Sequence, residues 1–476
     1  MLTFSNTYQD LGDAFYQRIH PAAASNPTLL LWNSALAERL AIAPPLTEDT
    51  DLQARLFSGN QLVDGSDPIA LAYCGHQFGQ LNPQLGDGRA HLLGEVLDQH
   101  QRRFDIQLKG SGRTPFSRGG DGRCALGPAL REYIMSEAMF FLGVPTSRCL
   151  AVVATGDPVY REEEKPGAVV TRVAASHIRV GTFVYFAIRE DLQSLQALLD
   201  HSVARHYPEI NRQTDGNKAL LFLQAVIEQQ ILLVIEWMRV GFIHGVMNTD
   251  NMAISGETID YGPCAMMGAY DPATVYSSID TQGRYAFGNQ PNIVRWNMTR
   301  LAESLLTLIH PEQKKAVELA ESILKLFPEK FEQAYFSMLG KKLGMADTDS
   351  ELATELLQTM HRDKLDYTET FLQLTQSLDN PDIAEHLAEK LGDWYKRWRD
   401  GSSPDQELMK QNNPVVIPRN HHIEQVLASC EASGNADAAK AILAVLRSPY
   451  SAIAGTAHYQ DLPVDADAGY QTFCGT

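Results

Sequence analysis

The chain has 476 residues, 44% hydrophobic and 21% charged, the proportions of a soluble globular protein long enough for two or three domains and a sizeable core. Its 40 Lys and Arg against 58 Asp and Glu leave a net charge of −18, which argues against general nucleic-acid binding, since that rests on neutralising phosphates. Six cysteines (Cys74, Cys124, Cys149, Cys264, Cys430 and Cys474) form no Cys-x-x-Cys pair, so neither a zinc framework nor a disulfide scaffold is expected, and a reducing, cytoplasmic setting fits best.

The first ten residues, MLTFSNTYQD, carry neither a basic leader nor an apolar run. Residues 1 to about 70 mix turns with one amphipathic helix near Trp32 to Leu40 and carry no recognisable chemistry. Two apolar runs follow, 90–97 and 103–109, separated by Asp98-Gln99-His100-Gln101, and they predict a β-hairpin whose second strand ends on Lys109. Three Gly-x-Gly-Arg tetrads surround it: Gly86-Asp87-Gly88-Arg89, Gly110-Ser111-Gly112-Arg113 and Gly120-Asp121-Gly122-Arg123. Glycines let backbone N–H groups converge on an anion, and an adjacent Arg adds a bidentate phosphate donor. Between Gln107 and Arg131 the charges are Lys109, Arg113, Arg118, Arg123 and Arg131 against Asp121, a local net of +4 in an acidic chain. A single Gly-x-Gly is an ordinary flexible turn; three of them within about 40 residues favour a phosphate site.

Apolar periodicity predicts a helix over 126–142, with Leu126, Leu130, Tyr133, Ile134 and Phe141 on one face and Gly143-Val144-Pro145 as its stop. A strand lysine followed by a helical glutamate is how kinase-like folds hold the nucleotide lysine. On the helical wheel Glu137 falls inside the apolar face and Glu132 well off it, so the wheel alone selects Glu137 as the partner of Lys109. Strands are expected at 150–155 and 168–173, joined by a charged loop with Glu162-Glu163-Glu164-Lys165. Arg172 and Arg179 bracket a short connection before the apolar stretch 183–188, and each by itself suits the surface, the usual place for Arg. From 192 the pattern turns helical, with a long helix over 217–239 whose Glu228 and Glu236 interrupt the roughly 20 apolar residues of a membrane span.

That helix delivers the chain into IHGVMNTDNMAISGETIDYGPC, residues 243–264. In kinase-like sites an Asn closing the catalytic loop and the Asp of an Asp-aromatic-Gly turn clamp the metals that bridge the nucleotide phosphates, and here these are Asn251 and Asp260. Each half alone is ordinary turn chemistry. Laid over H-R-D-x-x-x-x-N, the segment keeps His244 and Asn251 but has Val246 in place of the catalytic aspartate, so Asp250 is the nearest carboxylate able to accept a proton from an attacking hydroxyl. Residues 262–291 are rich in Gly, Asp, Tyr and Ser, as an activation-type loop is, and 292–447 is nearly all helical. His421-His422 has no further ligand at a recognisable spacing and reads as solvated, and the last 29 residues lose periodicity and read as a tail.

The runs YCGHQFGQLNPQLGDGRA from Tyr73, QLKGSGRTPFSRGGDGR from Gln107, LREYIMSEAM from Leu130, HGVMNTDNMAI, IDYGPC and the terminal FCGT resemble the selenoprotein O family of kinase-fold protein adenylyltransferases across essentially the whole chain, with Cys474 where many relatives carry selenocysteine. The resemblance implies an α+β, protein-kinase-like bilobal fold: an N-terminal extension and strand-rich lobe over 1–185, a helical lobe over 186–447 and a tail over 448–476. It implies transfer of AMP from ATP to protein Ser, Thr or Tyr hydroxyls, with the nucleotide reversed relative to ordinary kinases, which accounts for Val246. By the same resemblance Gly86, Gly88, Arg89, Lys109, Asp121, Gly122, Arg172, Arg179 and Asp260 contact ATP, Asn251 and Asp260 hold Mg2+ (or Mn2+), Asp250 is the proton acceptor, and Glu132 rather than Glu137 pairs with Lys109. The expected partners are substrate proteins, with no nucleic acid and no membrane, and the expected state is a monomer. UTP with manganese, a small-molecule kinase and a nucleotide-binding pseudokinase scaffold are the competing readings. Cys264 and Cys474, 210 residues apart, are a candidate reversible lock between tail and activation-type segment, against the plainer reading of two free thiols in a reducing compartment.

Overall fold

The expected hairpin lies at the centre of the N-terminal sheet. The computed structural model describes residues 2–463, 467 and 469–473. The strands of its N-terminal half are β1 (Tyr16–Arg18), β2 (Thr28–Trp32), β3 (Ile69–Leu71), β4 (Gly75–Gln77), β5 (Gln80–Asn82), β6 (Ala90–Leu97), β7 (Arg103–Lys109), β8 (Cys124–Ala125), β9 (Arg148–Tyr160) and β10 (Glu164–Ala174), and a two-stranded pair, Phe242–Ile243 with Ala265–Met266, lies further on. The main sheet is antiparallel, in the order β1-β3-β6-β7-β10-β9-β2, with β8 on β10 and a separate β4–β5 hairpin. Asp98 closes the β6–β7 turn: its Oδ1 accepts from the amides of His100 (2.8 Å) and Arg102 (2.9 Å).

Alternation along β7 sends Ile106 and Leu108 to one face and Asp105, Gln107 and Lys109 to the other. The first face packs with Leu150, Val153 and Val169 under α1 (Ser34–Arg39) and α2 (Thr50–Phe57). The opposite face is covered by α3 (Leu126–Phe141), which packs on β9 and β10. Residues 1–70 therefore hold more than the single helix expected there. They supply two edge strands and the helical cover of the outer face, and strands of three to five residues carry too little periodicity to be read locally.

The second half begins with α4 (Val180–Ala187), which takes up the apolar stretch at 183–188, and α5 (Leu192–His206). Next comes α6 (Lys218–Val240), capped by Asn217 Oδ1 accepting from the Leu220 amide (3.0 Å) and ended by Gly241 at φ 77°. By length and mean hydropathy (1.7) α6 is long and apolar enough to cross a membrane, contrary to the expectation that Glu228 and Glu236 exclude this. It is instead the core helix of this half, packed on α7 (Gln290–Ile309) and on the helix Phe327–Lys342; Glu228 pairs with Lys330 and Glu236 with Arg239 (2.6 Å). Helices then follow as far as Gln460. Among the described residues of the tail, Thr472 pairs with the activation-type segment, its amide donating to Tyr276 O (2.7 Å) and its carbonyl accepting from the Ser278 amide (3.0 Å).

Candidate active site

Lys109, at the end of β7, lies between two carboxylates. Its Nζ is 2.7 Å from Glu132 Oε2 and 2.8 Å from Asp260 Oδ1. The register explains the third member: Arg172 on β10 faces Gln107, two residues before Lys109, so it emerges on the same face. Arg172 pairs with the other Glu132 oxygen and lies 3.3 Å from Asp260 Oδ1. Burial would raise the Glu132 carboxyl, but Arg172 and Lys109 outweigh it and hold it below the usual carboxylate range.

The wheel's choice of Glu137 is not what the structure holds. Glu137 is 1% exposed and makes a bidentate pair with Arg148 on β9 (2.7 and 2.6 Å). The wheel argument assumes one buried face, whereas α3 is covered on both sides, so both glutamates are inside and each has its own arginine. Arg172 and Arg179, taken singly as surface residues, are 4% exposed.

The three tetrads converge. The Gly110 amide donates to Arg89 O (2.7 Å), the Gly112 amide to Gly122 O (3.0 Å), and Thr114 Oγ1 to Asp87 O (2.7 Å). Two glycines are required by contact: a Cβ on Gly122 (φ 70°) would lie 2.2 Å from the Gly112 carbonyl, and one on Gly86 (φ 75°) would lie 2.3 Å from the Phe116 ring. Not every charge here faces the cleft. Asp121 accepts from Arg161 (2.8 and 3.2 Å), Arg123 donates to Ala23 O (3.1 Å), and Arg131 pairs with Glu424. The local +4 is thus redistributed by partners outside the window: Glu424 takes up the charge of Arg131, Arg161 neutralises Asp121, and Arg123 is turned towards the 22–23 backbone.

Arg179 caps the start of α4 and stacks its guanidinium 4.1 Å over the Tyr73 ring, with NH1 3.5 Å from Asp87 Oδ1. Its Nε and NH1 are buried with no hydrogen-bond partner among the described residues, so the cation has an ion-pair partner in Asp87 but donors still to spare. Asp87 gave no sequence signal beyond its place inside a tetrad; it also accepts from Tyr73 OH (3.1 Å) and Gln107 Nε2 (3.0 Å).

On the helical side, His244 Nε2 lies 3.0 Å from Ile259 O and holds the catalytic-type loop against the Asp-Tyr-Gly turn. Asn251 Nδ2 donates to Val246 O (3.0 Å), which turns its Oδ1 the other way. Asp260 adopts φ 66°, unusual for a residue other than Gly, and its side chain is 29% exposed. Burial raises its carboxyl, yet Lys109, Arg172 and Arg89 hold it well below the ordinary value, so it is ionised. Both cations contact Oδ1, leaving Oδ2. Asp250 is different: burial pushes its carboxyl up to about 6, against its own backbone amide and Arg179, and its Oδ1 has no hydrogen-bond partner among the described residues. Over it lies the β4–β5 hairpin, which sequence reasoning left unassigned. The amides of His76 and Phe78 donate to Thr249 Oγ1 (2.7 Å) and Asn248 Oδ1 (3.1 Å), and a Cβ on Gly75 would sit 2.2 Å from Asp250 Oδ1.

Cys264 is buried, with its thiol pushed up to about 12 by burial. Cys474 lies outside the described residues, so the suggested pairing has no geometry here; Thr472, two positions earlier, donates its hydroxyl to Pro263 O (2.7 Å). His421 and His422, read as solvated, are half-buried and buried respectively beside Asp461.

An antiparallel sheet above a helical half, joined by a lysine bridging a helical glutamate and the aspartate of an Asp-aromatic-Gly turn, is the construction of kinase-like transferases. A family model described as protein adenylyltransferase SelO matches residues 1–447, and the chain belongs to that family of enzymes. Relatives named protein nucleotidyltransferase YdiU are similar over their full length: that of Teredinibacter turnerae is 53% identical, covering 100% of both chains. That of Pseudoalteromonas translucida is 51% identical, over 98% of this chain and 99% of its own, and that of Anoxybacillus flavithermus is 49% identical, over 99% of each.

Proposed function

We propose that the cleft binds ATP with a divalent metal and transfers AMP to Ser, Thr or Tyr hydroxyls of substrate proteins, releasing pyrophosphate. The observation that carries this reading is the combination of Val246 at the position of the kinase aspartate with a half-buried carboxylate close by, Asp250, whose Oδ1 is buried and has no hydrogen-bond partner among the described residues. The donors suit a hard cation: Asp260 offers an ionised carboxylate oxygen and Asn251 an amide oxygen, both oxygen ligands of the Mg2+ or Mn2+ type. Such an ion, when bound, neutralises phosphate charge during transfer. Lys109, fixed by Glu132, and Arg172 and Arg179 supply buried positive charge for the phosphates, and the glycines of the first and third tetrads let backbone amides approach them. Asp121 joins them only if its pair with Arg161 opens.

In the reaction the substrate hydroxyl oxygen bonds to the α-phosphorus, the bond from the α-phosphorus to the α,β-bridging oxygen breaks, and Asp250 takes the hydroxyl proton. The five described cysteines are free and buried, which suits a reducing, cytoplasmic setting. The test is incubation of the chain and a protein acceptor with ATP labelled at either the α- or the γ-phosphate. Label from the α position on protein, with release of pyrophosphate, supports the reading; γ-label without α-label overturns it in favour of a kinase. Asp260→Ala abolishes the metal-dependent transfer.

A further inference from the structure

The paired histidines left aside by the active site stand at the start of the helix Asn420–Ser433, and Asp461 follows the short helix Thr456–Gln460 that begins the tail. His422 Nε2 is in hydrogen-bond contact with Asp461 Oδ1, and His421 Nε2 is 3.6 Å from the same oxygen. One nitrogen from each ring and one carboxylate oxygen lie within 4.8 Å of one another, the only such group of His, Cys, Asp and Glu among the described residues. The two rings sit with centroids 4.0 Å apart, and the His458 ring is 5.2 Å from that of His422. A second observation points to a missing partner: both ring nitrogens of His421 are buried with no hydrogen-bond partner among the described residues.

We propose that His421, His422 and Asp461 form a site for one divalent transition ion, Zn2+ by ligand chemistry, that clips the base of the tail to the helical half. Two imidazoles and a carboxylate suit Zn2+ and its neighbours and do not suit Mg2+, which takes oxygen ligands. Bonds of about 2.0–2.1 Å place tetrahedral ligands about 3.3 Å apart, so the widest separation in the group has to close by up to roughly 1.5 Å while the His422–Asp461 contact opens. Asp461, whose side chain is 60% exposed, can shift to open that contact, and exposed His458 or a water completes four-coordination. The positive end of the helix opposes a cation here, and the Asp461 carboxylate offsets it. Downstream of the clip, Tyr470 OH donates to Glu424 (2.6 Å), which also pairs with Arg131 of α3, and Thr472 holds the activation-type segment. The ion therefore anchors the chain at Asp461, upstream of the contacts that Tyr470 and Thr472 make with Glu424 and the activation-type segment.

The experiment uses the full chain, stripped with a chelator, given Zn2+ in excess Mg2+ and passed through gel filtration before metal analysis. One Zn2+ per chain is expected in the wild type and in Asp260→Ala, which loses the active-site carboxylate, and none in His421→Ala or Asp461→Asn. Zn2+ also slows proteolysis after residue 461 at least about tenfold in the wild type and not in Asp461→Asn. Asp461 is exposed, so that variant folds, and circular dichroism checks it. No retained Zn2+ in the wild type, or an equivalent that survives both substitutions, overturns the site, and Asp461 is then only a hydrogen-bond acceptor. Retained Zn2+ with unchanged proteolysis overturns the clip.

Discussion

In the proposed reaction Asp250 must be unprotonated to take the hydroxyl proton, yet burial pushes its carboxyl up to about 6. The rate is therefore expected to fall about tenfold per pH unit below 6 and to level off above it, as a pH–rate profile of α-label transfer will show. Asp250→Asn lowers kcat by roughly 10²–10⁴. The stability sign is the reverse. An acid whose folded value is raised binds its proton more tightly when folded, so its contribution is lost as pH rises from about 4 through 6. Asp250→Asn removes that loss, and at pH 8 the variant should be more stable than the wild type by on the order of 1 kcal/mol, with the difference vanishing near pH 4. The two glutamates of α3 separate in the same way. Glu137→Ala strands Arg148 and costs about 3–5 kcal/mol of stability, read in denaturant melts. Glu132→Ala leaves Lys109 and Arg172 with Asp260 as a remaining partner, so its main effect is weaker ATP use, read as a loss of roughly 10–100-fold in kcat/KM. A larger stability loss in Glu132→Ala than in Glu137→Ala would contradict this division of roles.

Among the elements, the β4–β5 hairpin and the tetrad turns are joined to the site through glycines that have no room for a side chain. In Gly75→Ala the new methyl would sit 2.2 Å from Asp250 Oδ1 and 2.5 Å from Leu85 Cδ1, so Asp250 has to move. A displacement of about 1 Å costs on the order of 10²-fold, and a loss of that size in kcat is expected with the melting temperature little changed. Gly122→Ala meets backbone of the second tetrad at 2.2 Å with φ at 70°, where neither side can yield cheaply. That variant should lose more than about 2 kcal/mol of stability together with ATP binding, measured by melts and by nucleotide titration.

At the scale of the whole molecule, the tail crosses from the C-terminal helices to the activation-type segment. It lines a cavity of about 930 Å3 with Arg131, Gly262, Ser278 and Glu424. A chain ending at residue 469 loses the Thr472 bonds to Tyr276, Ser278 and Pro263, and amide hydrogen exchange at 276–278 should rise while α6 stays protected. If Cys474 forms a lock with Cys264, reductant changes transfer activity in the wild type and not in Cys474→Ala. The response is slow, because a thiol pushed up to about 12 is almost wholly protonated at working pH. A reductant response unchanged in Cys474→Ala sets this pair aside.

Local order decided what could be read from the sequence. The hairpin at 90–109, α3, α6, the His244 loop and the Asp-Tyr-Gly turn are stretches whose periodicity or turn chemistry lies within a few residues, and the structure has them within a residue or two of the expected bounds. Partnership was not legible in that way. Which glutamate meets Lys109, why Arg172 and Arg179 are buried, that Asp121, Arg123 and Arg131 are taken up by Arg161, Ala23 and Glu424, and that His421 and His422 meet Asp461 all depend on strands and helices brought together from distant parts of the chain. A carboxylate's energy in a low-dielectric interior is set by the nearest opposite charge, whatever its separation along the chain, so the residues of the site could be named from their order but their pairing was decided by the tertiary fold.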